Sequence, residues 1–133
     1  MTCFDGISVL LVEDEYLIAL DADQILRSFG VANVEIAAGW TQAAQQAKEG
    51  AFDLAVLDVN LNGRLSYDIA EILKERGIPF VFASGYELQG QVPAGLKGVA
   101  CVTKPYTTER LRDAAATALT ARDTSPSLRT GTR

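Results

Sequence analysis

Short apolar runs alternate with amphipathic stretches along most of this chain. Ile7-Ser8-Val9-Leu10-Leu11-Val12, Leu54-Ala55-Val56-Leu57, Val81-Phe82-Ala83 and Val99-Ala100-Cys101-Val102-Thr103 have the length and apolar density of buried strands. Between the first two runs, Leu17, Ile18, Leu20, Ala22, Ile25 and Leu26 form an apolar stripe of helical period. The pattern predicts strands over 7–13, 33–37, 52–58, 78–83 and 98–103, and helices over 15–29, 41–49, 66–76 and 107–122. Gly30, Gly50 and Gly77 stand where helices must stop. Thr41 and Thr107 or Thr108 are placed to cap helix starts, and Glu109 suits the positive end of the last helix.

One unit departs from the pattern. Where a fourth helix belongs, residues 86–95 carry Gly90, Pro93 and Gly95. Interior Gly costs roughly 1 kcal/mol and Pro roughly 3 kcal/mol in a helix, so a mobile loop or a short turn is expected there. Residues 123–133 are polar and lack an apolar period, so a disordered tail is expected behind one domain spanning 1–122. Five βα units with short connections imply a doubly wound five-stranded parallel sheet, flavodoxin-like, in order 2-1-3-4-5, with a degraded fourth helix. A β/α barrel needs about eight units and about 250 residues, more than the 133 present.

Composition narrows the functional classes. With 48% hydrophobic and 22% charged residues, the chain can bury an ordinary core. A formal net charge of −5 argues against nucleic-acid binding, which needs a basic footprint. There is no histidine, and the two cysteines, Cys3 and Cys101, lack metal-ligand spacing. Structural zinc, Ser-His-Asp and Cys-His chemistry are therefore excluded. Cys101 sits in an apolar run and reads as a small buried hydrophobe. No signal peptide is visible, and no apolar run approaches the roughly 18 residues of a membrane span. A cytoplasmic protein with reduced thiols and no membrane partner is expected.

Charge is concentrated where predicted strands end. Glu13 and Asp14 close the first strand, Asp58 the third and Lys104 the fifth. Open parallel α/β sheets bind ligands outside the carboxyl ends of their strands. Each feature alone has an ordinary reading: a strand-closing Asp is often a turn cap, and a single lysine is often surface. Jointly they point to chemistry. Crowded carboxylates repel, and a hard divalent cation such as Mg²⁺ relieves the repulsion. Asp58 can then serve as nucleophile toward a phosphoryl group, with Lys104 as cationic partner. Ser84 offers a hydroxyl to a phosphoryl oxygen, and Gly85 leaves room for its approach. Trp40 reads as packing or surface, and Arg110 and Arg112 as a solvated helix face.

These residues resemble the receiver domain of two-component response regulators. The resemblance covers residues 8–121 and rests on Leu11-Val12-Glu13-Asp14-Glu15, Leu57-Asp58-Val59-Asn60-Leu61, Ala83-Ser84-Gly85 and Thr103-Lys104-Pro105. It implies Asp58 as phospho-acceptor, Asp14 as a direct Mg²⁺ ligand, Glu13 assisting through water, and the Asn60 backbone carbonyl completing the ligand set. It further implies Ser84 as the switch hydroxyl, Lys104 as the partner of the phosphoryl group, and a cis Lys104-Pro105 bond. Receivers usually carry an aromatic switch three residues before the lysine; here that position is Cys101. This departure, the weak fourth helix and Phe82-Ala83-Ser84-Gly85-Tyr86 are similar to the single-domain subgroup called FATGUY, with Ser in place of its Thr. In that subgroup an aromatic beside the switch residue replaces the missing one, which makes Tyr86 a candidate and Tyr106 a second.

The resulting expectation is a stand-alone receiver that takes a phosphoryl group on Asp58 from a histidine kinase or histidine phosphotransfer protein. Its output would be a protein contact with a downstream partner, or phosphate shuttling. It would catalyse only its own phosphorylation and dephosphorylation, and so is not read as an enzyme. A Mg²⁺-dependent phosphohydrolase would need an acid soon after the nucleophile, where Val59-Asn60 stands instead. A phosphorylation-independent adaptor would leave the acidic set as an unused cost.

Overall fold

A computed structural model describes residues 4–84, 93–96 and 98–123. The apolar runs become strands β1 (Ser8–Val12), β2 (Asn33–Ala37), β3 (Leu54–Asp58), β6 (Phe80–Ser84) and β7 (Cys101–Thr103) of one sheet. All its pairings are parallel, and the order is β2-β1-β3-β6-β7, which is the expected 2-1-3-4-5 counted over the sheet. The register pairs Val12 with Leu57, Asp58 with Ala83, and Ser84 with Thr103. The carboxyl ends of four strands therefore reach one edge of the sheet.

Side-chain alternation divides the core in two. Val9, Leu11, Leu54, Val56, Val81, Ala83 and Val102 pack under α1 (Tyr16–Ser28) and α4 (Thr108–Asp123). Leu10, Val12, Ala55, Leu57, Phe80 and Phe82 pack under α2 (Trp40–Glu49) and α3 (Tyr67–Glu75). Burial on both faces is why β1, β3 and β6 read as continuous apolar runs, whereas the edge strands β2 and β7 alternate. The buried face of α2 is alanine alone, Ala43, Ala44 and Ala47. Arg76 ties α3 to that helix by donating to the Ala47 and Gly50 carbonyls at 2.7 and 2.8 Å.

Several boundaries differ from the sequence pattern. Helix α2 begins at Trp40 behind Gly39, not behind a Thr41 cap, and makes no side-chain cap hydrogen bond. Of the two threonines offered for α4, Thr107 caps it, accepting the Arg110 N–H at 3.1 Å. An unexpected hairpin follows Asp58: β4 (Asn60–Leu61) pairs antiparallel with β5 (Arg64–Leu65). Its turn is Asn62-Gly63, both with positive φ (53° and 91°), the conformation that a tight two-residue hairpin turn requires.

The reading of Cys101 as buried is corrected: it is exposed. Strand β7 is an edge strand, and Cys101 alternates with Val102, which takes the α1–α4 core. Cys101 therefore faces the other way, at the margin of the layer that α2 and α3 cover. Between β6 and β7 the described residues hold one short 3₁₀ turn, Ala94–Leu96. The loop expected over 86–95 and the tail expected over 123–133 fall mostly outside the described residues, as does Tyr86.

Leu11 is fully buried at the centre of the sheet, whereas Leu17 on α1 is 79% exposed. Leu11→Ala is expected to cost about 2–5 kcal/mol, and Leu17→Ala less than about 0.5 kcal/mol. Urea denaturation of the two variants checks the division into core and surface.

Candidate functional site

The sheet register brings the strand-end charges together. Glu13 directly follows β1, and its N–H donates to the Ala37 carbonyl at 3.1 Å, which fixes where the strand stops. Asp58 is the last residue of β3 and Ser84 the last of β6. Lys104 follows β7 and donates its own N–H to the Ser84 carbonyl at 2.8 Å. The Lys104-Pro105 peptide is cis.

Lys104 Nζ lies between two acids. It donates to Glu13 Oε1 at 3.1 Å, to Glu13 Oε2 at 3.4 Å and to Asp58 Oδ2 at 3.2 Å. Glu13 and Asp58 are 1% and 4% exposed, so water screens them little. Asp14 is half-buried, and carboxylate oxygens of Glu13, Asp14 and Asp58 all lie within 4.8 Å of one another. Burial, and then the charge of Asp58, raises the Glu13 carboxyl from 4.5 to about 7. Burial also raises Asp58, although Lys104 pulls it down. For Lys104, burial lowers the pKa, but Asp58 and Glu13 outweigh it and the net shift is upward.

Three carboxylates thus face one ammonium among the described residues. All-oxygen donors, excess negative charge and partial access fit a hard divalent cation such as Mg²⁺. Glu13, Asp14 and Asp58 would hold it. Asn60, whose carbonyl is the expected backbone ligand, is the first residue of β4. Its N–H donates to Asp58 Oδ1 at 3.2 Å, and its side-chain oxygen accepts the Gly63 N–H at 2.7 Å.

The hairpin is the part of the site that the strand pattern missed. The Asn62 N–H donates to Asp14 Oδ2 at 2.9 Å. Buried Ser66, just past β5, donates from Oγ to the Asp58 carbonyl at 2.6 Å. Trp40 braces the hairpin from α2, donating its indole N–H to the Leu65 carbonyl at 3.1 Å, with the Arg64 guanidinium 3.5 Å from its ring centre. Asn-Gly is the strongest short-range hairpin signal, and Asn62-Gly63 carries it four residues after Asp58. Of the two aromatics offered as substitutes for the missing one, Tyr86 lies outside the described residues. Tyr106 is buried in the α1–α4 layer, on the opposite face of the sheet from Cys101.

Fold and site define a parallel α/β domain with an acidic cluster and one lysine at the carboxyl ends of its strands. The response regulator receiver domain profile matches residues 9–116, and the chain belongs to that family. It is thereby a phosphoryl-accepting domain of two-component signalling. A response regulator receiver protein from Sinorhizobium medicae is 26% identical, with TM-score 0.77, covering 88% of this chain and 97% of its own. SdrG from Sphingomonas melonis is 34% identical, with TM-score 0.70, covering 92% and 98%. The receiver domain of a Pseudomonas aeruginosa sensor histidine kinase is 22% identical, with TM-score 0.74 over 86% and 98%, and holds a magnesium ion in its active-site cleft. No curated protein matches the chain in sequence. Among the described residues no helix is long and apolar enough to cross a membrane.

Two outcomes follow from this geometry. A raised carboxyl pKa means that the folded state holds its proton more tightly than the unfolded chain does. Stability of the metal-free protein should therefore fall as pH rises from 4.5 to about 7 through Glu13. The Glu13 share is on the order of 3 kcal/mol. Melting temperatures at pH 5 and pH 8 in a chelator check this; Glu13→Gln should flatten the difference, and Mg²⁺ should offset it. Separately, a cation that draws on Asp14 competes with the Asn62 N–H, and the hairpin rests on the single tryptophan. Trp40 emission should therefore change on Mg²⁺ addition, and the change should vanish in Asp14→Ala.

Proposed function

We propose that Asp58 is the phosphoryl acceptor and that the domain works as a stand-alone receiver in a two-component or phosphorelay pathway. The observation that carries the reading is the Lys104 ammonium shared between Asp58 and Glu13, beside a third carboxylate. A carboxylate oxygen of Asp58 attacks phosphorus on the donor's phosphohistidine. The P–N bond breaks, and its electron pair stays on the imidazole. Lys104 follows the phosphoryl group, and the Ser84 hydroxyl, one residue beyond Asp58's strand partner Ala83, accompanies it. Asp14, Asp58 and the Asn60 carbonyl would hold Mg²⁺, with Glu13 assisting through water, and the ion would supply positive charge for the phosphoryl oxygens. The magnesium in the Pseudomonas relative's cleft supports that choice of ion.

The donor is a histidine kinase or a histidine phosphotransfer protein of the cytoplasm. Tyr16, Leu17 and Leu65, on the segments that follow Asp14 and Asn62 in the chain, are 70%, 79% and 46% exposed, and exposed apolar side chains there suit a protein donor. The output is a protein contact, or return of the phosphoryl group along a relay, with Ser84 and either Tyr86 or Tyr106 as switch residues. The resemblance to the FATGUY subgroup supports a switch built without an aromatic at Cys101. Turnover is confined to the domain's own phosphorylation and dephosphorylation.

With Mg²⁺ and a small phosphodonor, one base-labile phosphoryl group should appear on wild type. None should appear on Asp58→Asn, and little on Lys104→Ala. Intact-mass spectrometry reads all three, and undiminished labelling of Asp58→Asn would remove the assignment.

A further inference from the structure

Asn62 and Gly63 form the turn of the β4–β5 hairpin, and both are exposed. Nothing lies within 4 Å of the place where a Gly63 side chain would start. Asparagine is among the chemically labile residues, and a following glycine leaves the next backbone nitrogen unshielded by any side chain. That nitrogen can close a ring onto the asparagine side chain.

Here the nitrogen is engaged. The Gly63 N–H donates to Asn60 Oδ1 at 2.7 Å, and the Asn62 N–H donates to Asp14 Oδ2 at 2.9 Å. To attack Asn62 Cγ, the Gly63 nitrogen must shed its proton and turn toward the Asn62 side chain. It does neither while its N–H is held by Asn60. The Asn60 side chain therefore competes directly with ring closure, and the hairpin register, Leu61 opposite Arg64, holds the turn shut around it.

We propose that Asn62 is a site of spontaneous deamidation, that the Asn60 side chain restrains it, and that conversion loosens the hairpin beside the acidic cluster. The Gly63 nitrogen gives its proton to solvent and bonds to Asn62 Cγ. The Cγ–Nδ2 bond breaks, and Nδ2 leaves as ammonia with that electron pair and a proton from solvent. Water then opens the cyclic imide at either carbonyl, leaving aspartate or isoaspartate at position 62. Both products add negative charge to the residue whose N–H reaches Asp14. Isoaspartate also lengthens the main chain by the side-chain methylene, which a two-residue turn does not accommodate. The inference does not depend on Asp58 being the phosphoryl acceptor.

Incubation of the folded protein in warm neutral buffer tests this, with peptide mass spectrometry reading the conversion of amide to carboxylate at position 62. Wild type should convert slowly, and Asn60→Ala roughly two- to tenfold faster, the factor a single hydrogen bond contributes. Asn60→Asp keeps an acceptor oxygen and should convert near the wild-type rate, which separates the hydrogen bond from a general loosening of the hairpin. Wild type unfolded in urea sets the unrestrained rate. Converted protein, separated by its added charge, should differ from unconverted protein in Trp40 emission, because Trp40 holds the hairpin at the Leu65 carbonyl. No conversion of folded wild type over a period that converts the unfolded chain fully overturns Asn62 as the site. Equal rates in wild type and Asn60→Ala, or Asn60→Asp as fast as Asn60→Ala, overturn the role of Asn60. Unchanged Trp40 emission overturns the loosening.

Discussion

The Lys104 ammonium between Glu13 and Asp58 is the interaction on which the arrangement turns. Two nearly buried carboxylates at one end of a sheet are mutually destabilising, and each alone would be driven toward its neutral form. Lysine brings one positive charge from residues 91 and 46 positions away in sequence. That requires β1, β3 and β7 to end at one level, so the register of the whole sheet is tied to one ion-paired triad. Compensation is incomplete, since Asp14 adds a third carboxylate to the cluster. The residual negative charge makes the metal-free fold less stable than its core alone would allow, and it is also what makes the site attractive to a hard cation. Stability and function pull against each other here, as local rule-breaking at functional sites generally implies.

The hairpin after Asp58 answers a different need. A strand-end carboxylate must be aimed as well as buried. Asn60 donates to one oxygen of Asp58, Lys104 to the other, and Ser66 to the Asp58 backbone carbonyl. With those contacts the side chain has little freedom, so its orientation is settled before any phosphoryl donor arrives. The hairpin in turn is braced by Trp40 from α2 and reaches Asp14 through Asn62. Asp58, the candidate metal ligand Asp14 and helix α2 thus belong to one hydrogen-bonded unit.

Most of this was legible in the sequence where a single physical rule governs the residue. Strand-length apolar runs marked β1, β3 and β6 because both faces of a parallel sheet are buried. Strand ends marked Glu13, Asp58 and Lys104 because a parallel sheet puts its ligand edge there. Residues governed by two competing rules were misread. Cys101 has the apolar neighbours of a buried strand residue, but it lies on an edge strand, and the edge decides. Trp40 read as packing or surface and does pack against the α2–α3 core, but the sequence did not report that its ring also holds Arg64 and the Leu65 carbonyl. Ser66 opened a predicted helix, where nothing local reports that its hydroxyl turns back to Asp58. Asn62-Gly63 was the one missed feature with a clear signal, overlooked because the strands it joins are two residues each.

The two sides of the site are held with different firmness, and this bears on how a change in charge travels. Asp58 ends β3, the central strand, and Glu13 follows β1 beside it, with helices on both faces of the sheet. Ser84 ends β6, on the other side of β3, and Lys104 follows the edge strand β7; the two are joined through the Lys104 N–H and the Ser84 carbonyl at 2.8 Å. Added negative charge on Asp58 acts on Lys104 first, because that ammonium is the cation it already touches. The centre of the sheet cannot yield without breaking a close-packed core, whereas the edge has a strand on one side only. If Asp58 is the acceptor proposed above, displacement falls on the edge strand β7. On that proposal the rigid centre would receive the charge and the edge strand would yield to it.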